Sequence, residues 1–214
     1  MRIFLLLLLI YSLSYGDQID DNKYSIRLGY GIADLNDLQD ILLGHETDVS
    51  IDTSLINLDV GYRMFHNVNK WPLDIYAKGS ITYFNEKGVI NYITNEKSKD
   101  FFEMTLYIKA YYNINFSDNR IRLGLGEGLS FAGEVPVSEV YDARHYDGSE
   151  GDTSKILNYL DLSVDIDIGR LFSIEMLRDT YVGYTIKHRS GIYGFFHGVH
   201  GGSNYKMITL EKNF

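Results

Sequence analysis

The sequence predicts an all-β fold: an eight-stranded antiparallel transmembrane β-barrel with a filled polar interior. Three observations predict it. Apolar and polar residues alternate with a period of two through eight segments, the signature of strands with unlike faces. The links between these segments are alternately long and short, as in barrels with long external loops and short periplasmic turns. The polar faces carry charges of both signs, so the apolar faces must be the ones turned outward, into hydrocarbon.

Leading the chain, Arg2 is followed by the apolar run Ile3–Leu13 and then Ser14-Tyr15-Gly16. This reads as a secretory signal peptide over residues 1–16, too short to span a bilayer. Its removal deletes Arg2 and no acid, taking the net charge from −9 to −10. Residues 17–214 then form one barrel domain. The chain has no cysteine, so an exported protein of this size holds together without disulfides. With 18 tyrosines, 11 phenylalanines and only 2 prolines, the composition favours sheet over helix. The mean hydropathy of −0.16 is compatible with a membrane barrel, because only alternate residues meet lipid. An acidic chain without a basic patch excludes nucleic acid as a partner.

The first strand, Tyr24–Ala33, sets Tyr24, Ile26, Leu28, Tyr30 and Ile32 against Ser25, Arg27, Gly29, Gly31 and Ala33. An acidic stretch follows, with weak helical spacing over Leu35–Leu43. The second strand, Thr53–Phe65, opposes Ile56, Leu58, Val60 and Tyr62 to Asn57, Asp59, Gly61 and Arg63. A short link reaches the third strand, Leu73–Phe84, and a polar loop leads to the fourth, Phe101–Ile114. The fifth, Arg120–Ala132, is joined by a long acidic loop to the sixth. That strand, Asn158–Gly169, alternates without a break: Tyr159, Asp161, Ser163, Asp165 and Asp167 against Leu160, Leu162, Val164, Ile166 and Ile168. The seventh is Asp179–Ser190 and the eighth Ser203–Phe214. The aromatic end of the eighth resembles the signal read by the barrel-assembly machinery, the partner expected during biogenesis.

The inward sets place Arg27, Arg63, Lys78, Lys109, Arg120, Arg122 and Lys187 opposite Asp59, Asp74, Glu103, Asp161, Asp165 and Asp167. Eight strands leave room for little more than the interior side chains themselves. These charges are therefore expected to pair with one another rather than line a pore. A soluble barrel would put them in its core and leave an apolar belt in water, which would aggregate.

Two stretches break the alternation. Gly126-Glu127-Gly128 gives Glu127 the parity of Ile121, Leu123 and Leu125. The flanking glycines suggest a bulge that turns Glu127 inward to join the charge network; the alternative is an acid left on the outer face near the outer rim. In strand seven, His188 and Ser190 share the outward parity of Val182, Tyr184 and Ile186. Nine residues separate Asp179 from His188. At about 3.3 Å each and a tilt of about 40°, they climb roughly 23 Å, near the top of the ~25 Å apolar band. A His and a Ser would stand there at headgroup depth in the outer leaflet.

An eight-stranded barrel with His-x-Ser near the end of strand seven resembles the lipid A 3-O-deacylase family of outer-membrane esterases. The resemblance implies Ser190 as nucleophile and His188 as general base. It also implies the outer membrane of a Gram-negative bacterium and lipopolysaccharide, through its lipid A, as the partner. Two departures stand beside it. The asparagine that follows the family's serine is Gly191 here, and the family's glutamate falls in Gly201-Gly202-Ser203-Asn204-Tyr205, which has no acid. Two functions therefore follow: an ester hydrolase acting on lipid A, or a non-enzymatic structural or surface-interaction barrel with no open pore. No cofactor or metal is expected. His197 and His200 are too few for a metal site, and the acidic residues of Glu134–Asp152 read as a solvated loop.

Overall fold

The computed structural model describes residues 22–45, 51–91, 95–147, 152–192, 194–196, 198–199 and 201–214, with the side chains of 144–147 excepted. The expected leader 1–16, His197, His200 and residues 148–151 of the acidic loop lie outside them. Eight strands form: β1 (Tyr24–Asp34), β2 (Ser54–Phe65), β3 (Leu73–Asn85), β4 (Phe101–Phe116), β5 (Asn119–Ala132), β6 (Ile156–Asp167), β7 (Thr180–Ser190) and β8 (Gly202–Asn213). Each pairs antiparallel with the next, and β8 returns to β1, so the sheet closes and leaves no edge. Paired amides seal the seam, Tyr24 donating to Phe214 and Phe214 to Tyr24, each at 2.9 Å.

The apolar sets face out. Leu28, Leu58 and Ile208 are 53%, 51% and 62% exposed, whereas Arg27, Asp59 and Glu211 are 1%, 0% and 0% exposed. In water such a belt would be untenable, and in a bilayer it is the lipid contact. Aromatic rings gather at both rims. Tyr24 lies 5.5 Å from Tyr62 and 6.3 Å from Phe214 at one end, and Tyr83 lies 5.3 Å from Phe102 at the other. The longer links share the end opposite the chain termini, which makes that end the external one.

Inside, cations and carboxylates interlock. Arg27 bonds Asp59 at 3.1 Å and Asp161 at 2.5 Å, and Lys109 meets Asp161 at 2.5 Å. Lys78 bridges Asp59 and Glu211 at 3.1 and 3.0 Å. Arg122 reaches Asp165 and Glu211, its guanidinium lying between the rings of Tyr111 and Tyr181. The hydroxyls of Tyr107 and Tyr111 donate to Asp59 and Glu211. Glu211 belongs to this network although the alternation in strand eight had not singled it out.

Four expectations change. The acidic stretch Glu134–Asp152 is not simply a solvated loop: residues Val137–Asp147 are helical, and Glu139 is buried because Arg189 pairs with it at 2.6 Å. Arg120 is not interior; it sits half-buried at the periplasmic rim, 3.8 Å from Asp179. The sixth strand stops at Asp167 rather than Gly169, because the Asp167 carboxylate accepts the Arg170 amide at 3.0 Å and starts a helical turn, Ile168–Leu171. No bulge occurs at Glu127. The β4–β5 and β5–β6 registers run through it unbroken, and Glu127 stays exposed on the outer face. Its neighbour Gly128 faces inward, where a Cβ would strike the backbone of Leu106 and Tyr107. The glycines thus answer to packing inside the barrel, not to a kink. The register irregularity that does occur lies between Arg63 and Phe65.

Two further helices lie at the external end, α1 (Leu38–Leu43) and α2 (Val137–Asp147). The second caps the lumen. Val137 packs with Leu55, Phe84, Phe101, Tyr205 and Met207 in an apolar plug. Glu86 receives the Val137 amide at 3.1 Å, a carboxylate at a helix N-terminus. Glu139, in the first turn of that helix, is held by Arg189 at 2.6 Å, while Glu103 binds Lys187 and Arg189 at 2.5 and 3.2 Å.

Three buried carboxylates thus face two cations, and one proton is in demand. Burial pushes Glu139 up to about 7 and Glu86 up to about 7. A carboxyl whose pKa is raised on folding makes the folded state bind more protons, so lid docking weakens as pH rises from the ordinary carboxyl range through about 7. Each pH unit in that window costs up to about 1.4 kcal/mol, tenfold in the open population. Hydrogen–deuterium exchange of residues 137–143, corrected for base catalysis, is expected to quicken accordingly between pH 5 and pH 8. Exchange independent of pH after that correction would refute it.

Candidate functional site

The unbent β5 brings Glu127 into a row across the outer face. Glu127 pairs with Leu160, Leu160 with His188, and His188 with Asn204. The row above holds Asn158, Ser190 and Gly202. Both rows open into a cleft of about 930 Å³, walled on its loop side by Leu38, Leu42 and Leu43 of α1. His188 and Ser190 therefore share one cavity at the external rim, on the lipid side of the barrel.

His188 is held by a residue that the sequence reading passed over. Its Nδ1 lies 2.7 Å from Asn204 Oδ1, while Asn204 Nδ2 donates to the Asn36 carbonyl at 2.8 Å. The second bond decides the first. With its amide nitrogen committed to Asn36, Asn204 offers oxygen to the ring, so Nδ1 carries the proton and Nε2 the lone pair. That is the tautomer a general base requires. Asn204 belongs to the very stretch that lacks an acid, and a search restricted to carboxylates could not find it.

Gly202 makes room for the ring. A Cβ there would meet His188 Cε1 at 3.3 Å and collide with the Arg189 carbonyl. Gly202 sits opposite Ser190, so the imidazole leans from its own row toward that of the serine. Ser190 Oγ accepts the Ile192 amide at 3.1 Å. Ile192 adopts φ 47°, a left-handed conformation that a β-branched residue avoids. Such strain costs on the order of 1–3 kcal/mol and gathers at functional sites. Gly191, between them, has the Val199 carbonyl where a side chain would stand, which is why no asparagine fits there.

Among the described residues no hydrogen bond joins His188 to Ser190. Glu127 lies two strands from His188, about 10 Å at the spacing of a sheet, too far to orient the ring. The carboxylate whose charge reaches His188 is Asp37, just before α1. A serine, a histidine hydrogen-bonded through Nδ1 and a backbone amide donating to the serine thus border one cleft with an apolar wall, residue types that acyl-transfer centres also use. No group of three or more metal-ligating side chains occurs among the described residues.

No curated protein matches the chain. Among solved structures, the outer membrane enzyme PagL is similar at a TM-score of 0.53 and 11% identity, covering 89% of this chain and 99% of its own. Neisserial surface protein A is similar at 0.48 and 11% identity, covering 89% of this chain and 97% of its own. The sequence itself matches the outer membrane protein beta-barrel domain over residues 3–176. With the closed eight-strand sheet and its lipid-facing belt, that match makes this chain a member of the outer membrane protein beta-barrel domain family, resident in the Gram-negative outer membrane.

Proposed function

We propose that this barrel hydrolyses an ester-linked acyl chain of an outer-leaflet lipid, lipid A being the substrate in view. The observation that carries the reading is the Asn36–Asn204–His188 relay, which puts the proton on Nδ1 of a ring that lines the same cleft as Ser190. In this reading His188 takes the Ser190 proton as Oγ attacks the ester carbonyl. It then passes that proton to the departing alkoxide as the C–O bond breaks. Water, deprotonated in turn by His188, releases the fatty acid and restores the serine. The Ile192 amide, which donates to Ser190 Oγ at 3.1 Å, is the backbone N–H beside the serine that this reading assigns to the developing oxyanion.

A second reading has its own support. A carboxamide cannot offset the charge of an imidazolium, and a barrel with a filled lumen also suits a purely structural or surface-interaction role. Mass spectrometry of lipid A from cells carrying the intact gene, no gene, or Ser190→Ala separates the two. The esterase reading expects an acyl chain to be missing only with the intact gene. Identical acylation in all three would leave the structural role.

A further inference from the structure

Links at the periplasmic end of a barrel are short and meet water. The β4–β5 turn obeys, with Ser117 and Asp118 between its strands. The β6–β7 link does not. It runs over residues 168–179 and exposes Leu171, Phe172, Ile174 and Met176, Phe172 by 65% and Met176 by 81%. Nor is it slack. Asp167 staples its two legs, accepting the Arg170 amide at 3.0 Å and the Asp179 amide at 3.1 Å. Gly169 packs so closely on the returning leg that a Cβ would strike the Leu177 carbonyl and the Arg178 amide. Phe172 donates its amide to the Ile168 carbonyl and Ile174 to that of Gly169, at 3.1 and 2.8 Å. Ser173 between them takes φ 55°, a left-handed conformation that costs energy outside glycine. A segment fixed this firmly holds its apolar side chains in the open.

Two observations point to what covers them. The link hangs from the lipid side of the wall: Lys212 shares the outward parity of Ile208 and Leu210, and its ammonium donates to the Arg178 carbonyl at 2.5 Å. The exposed set thus adjoins the lipid belt at its periplasmic edge. The turn Ile168–Leu171 spans only about 6 Å at helical rise. That matches a headgroup layer of about 5–8 Å, the difference between a hydrocarbon core of about 30 Å and a bilayer of about 40–45 Å shared between two faces. The charges of the link are also neutralised in place. Arg170 pairs with Asp167 at 3.2 Å, Arg178 with Glu175 at 2.7 Å and Asp179 with Arg120 at 3.8 Å. Entry into the membrane boundary strands no lone ion, and a partner selected by charge finds little to read. From this continuity with the lipid belt, we infer that the β6–β7 link is an interfacial anchor, laying Leu171, Phe172, Ile174 and Met176 among the phospholipids of the inner leaflet. It acts at the end opposite His188 and Ser190 and is independent of their chemistry.

Fluorescence quenching in vesicles of phosphatidylethanolamine and phosphatidylglycerol tests it. Trp71, the one native tryptophan, is replaced by phenylalanine, and the probe enters as Phe172→Trp or, in a separate chain, Met176→Trp. The expected emission is blue-shifted from that of tryptophan in water. Lipids brominated near the carbonyl end of the acyl chain are expected to quench it several-fold more than iodide present on both sides of the bilayer. Unaltered strand circular dichroism is required of each chain, so a fold lost in one leaves the other to decide. Water-like emission quenched by iodide would put the link in the periplasm and overturn the inference. Shielding from both quenchers, as a protein partner, a second copy or the leading segment of the chain would give, would overturn it equally.

Discussion

Replacing Asp161 by alanine is expected to destabilise the folded barrel by about 3–5 kcal/mol, the cost of leaving buried charge without its partner. Asp161 is 0% exposed and accepts from Arg27 and Lys109, both at 2.5 Å, and from the Tyr159 hydroxyl at 3.1 Å. Without it, buried Lys109 loses its ion-pair partner and stands beside Arg27, which keeps Asp59 at 3.1 Å. Glu134 provides the contrast. It pairs with Lys155 at 2.9 Å in an external loop, but the two side chains are 59% and 52% exposed. Solvent screening limits that pair to about 1 kcal/mol or less. Urea unfolding from phospholipid vesicles, followed by Trp71 fluorescence, compares Asp161→Ala with Glu134→Ala. Equal losses would mean that water fills the lumen and that its charges are solvated rather than paired.

His188→Ala is expected to reduce ester hydrolysis by on the order of 10⁴-fold or more, since loss of a base that works with its serine removes most of the catalysis such a pair supplies. Asn204→Ala removes the acceptor that orients the ring, together with the bond to the Asn36 carbonyl. It should lower kcat by roughly 10–100-fold at nearly constant KM, because orientation, not substrate contact, is lost. Asn204→Asp keeps an acceptor at Nδ1 and adds the charge that stabilises the imidazolium. A rise in kcat is expected from it, partly offset by loss of the amide donor to Asn36. Steady-state hydrolysis of a lipid A ester in mixed micelles measures all three. A His188→Ala variant as active as the native chain would end the catalytic role for the outer face, whatever Asn204 does.

The alternation of Leu160, Leu162 and Val164 with Asp161, Ser163 and Asp165 was legible because a strand has only two faces, and a charge can face only the one that pairs it. The same logic located His188 and Ser190 together near the external rim. It failed at Glu127, where glycines that leave space for Tyr107 mimic the glycines of a bulge. It failed at Asn204 because the identity of a hydrogen-bond partner depends on what occupies the neighbouring strand and loop. Glu211 escaped notice for a related reason. One acid near the end of a strand says nothing until Lys78 and Arg122, on β3 and β5, close around it.

By itself the sequence determined the strand count, the face that meets lipid and the height of the His-Ser pair, all of which follow from a period of two and a fixed rise per residue. The tertiary structure alone decided that Asn204 fixes the tautomer of His188, that Glu127 remains outside, and that α2 closes the lumen through Glu86 and Glu139. The physical reason is that hydrogen bonding and ion pairing act over about 3 Å between atoms far apart in the chain. Only the closed register of β5 through β8, with the loops folded over it, brings those atoms within that reach.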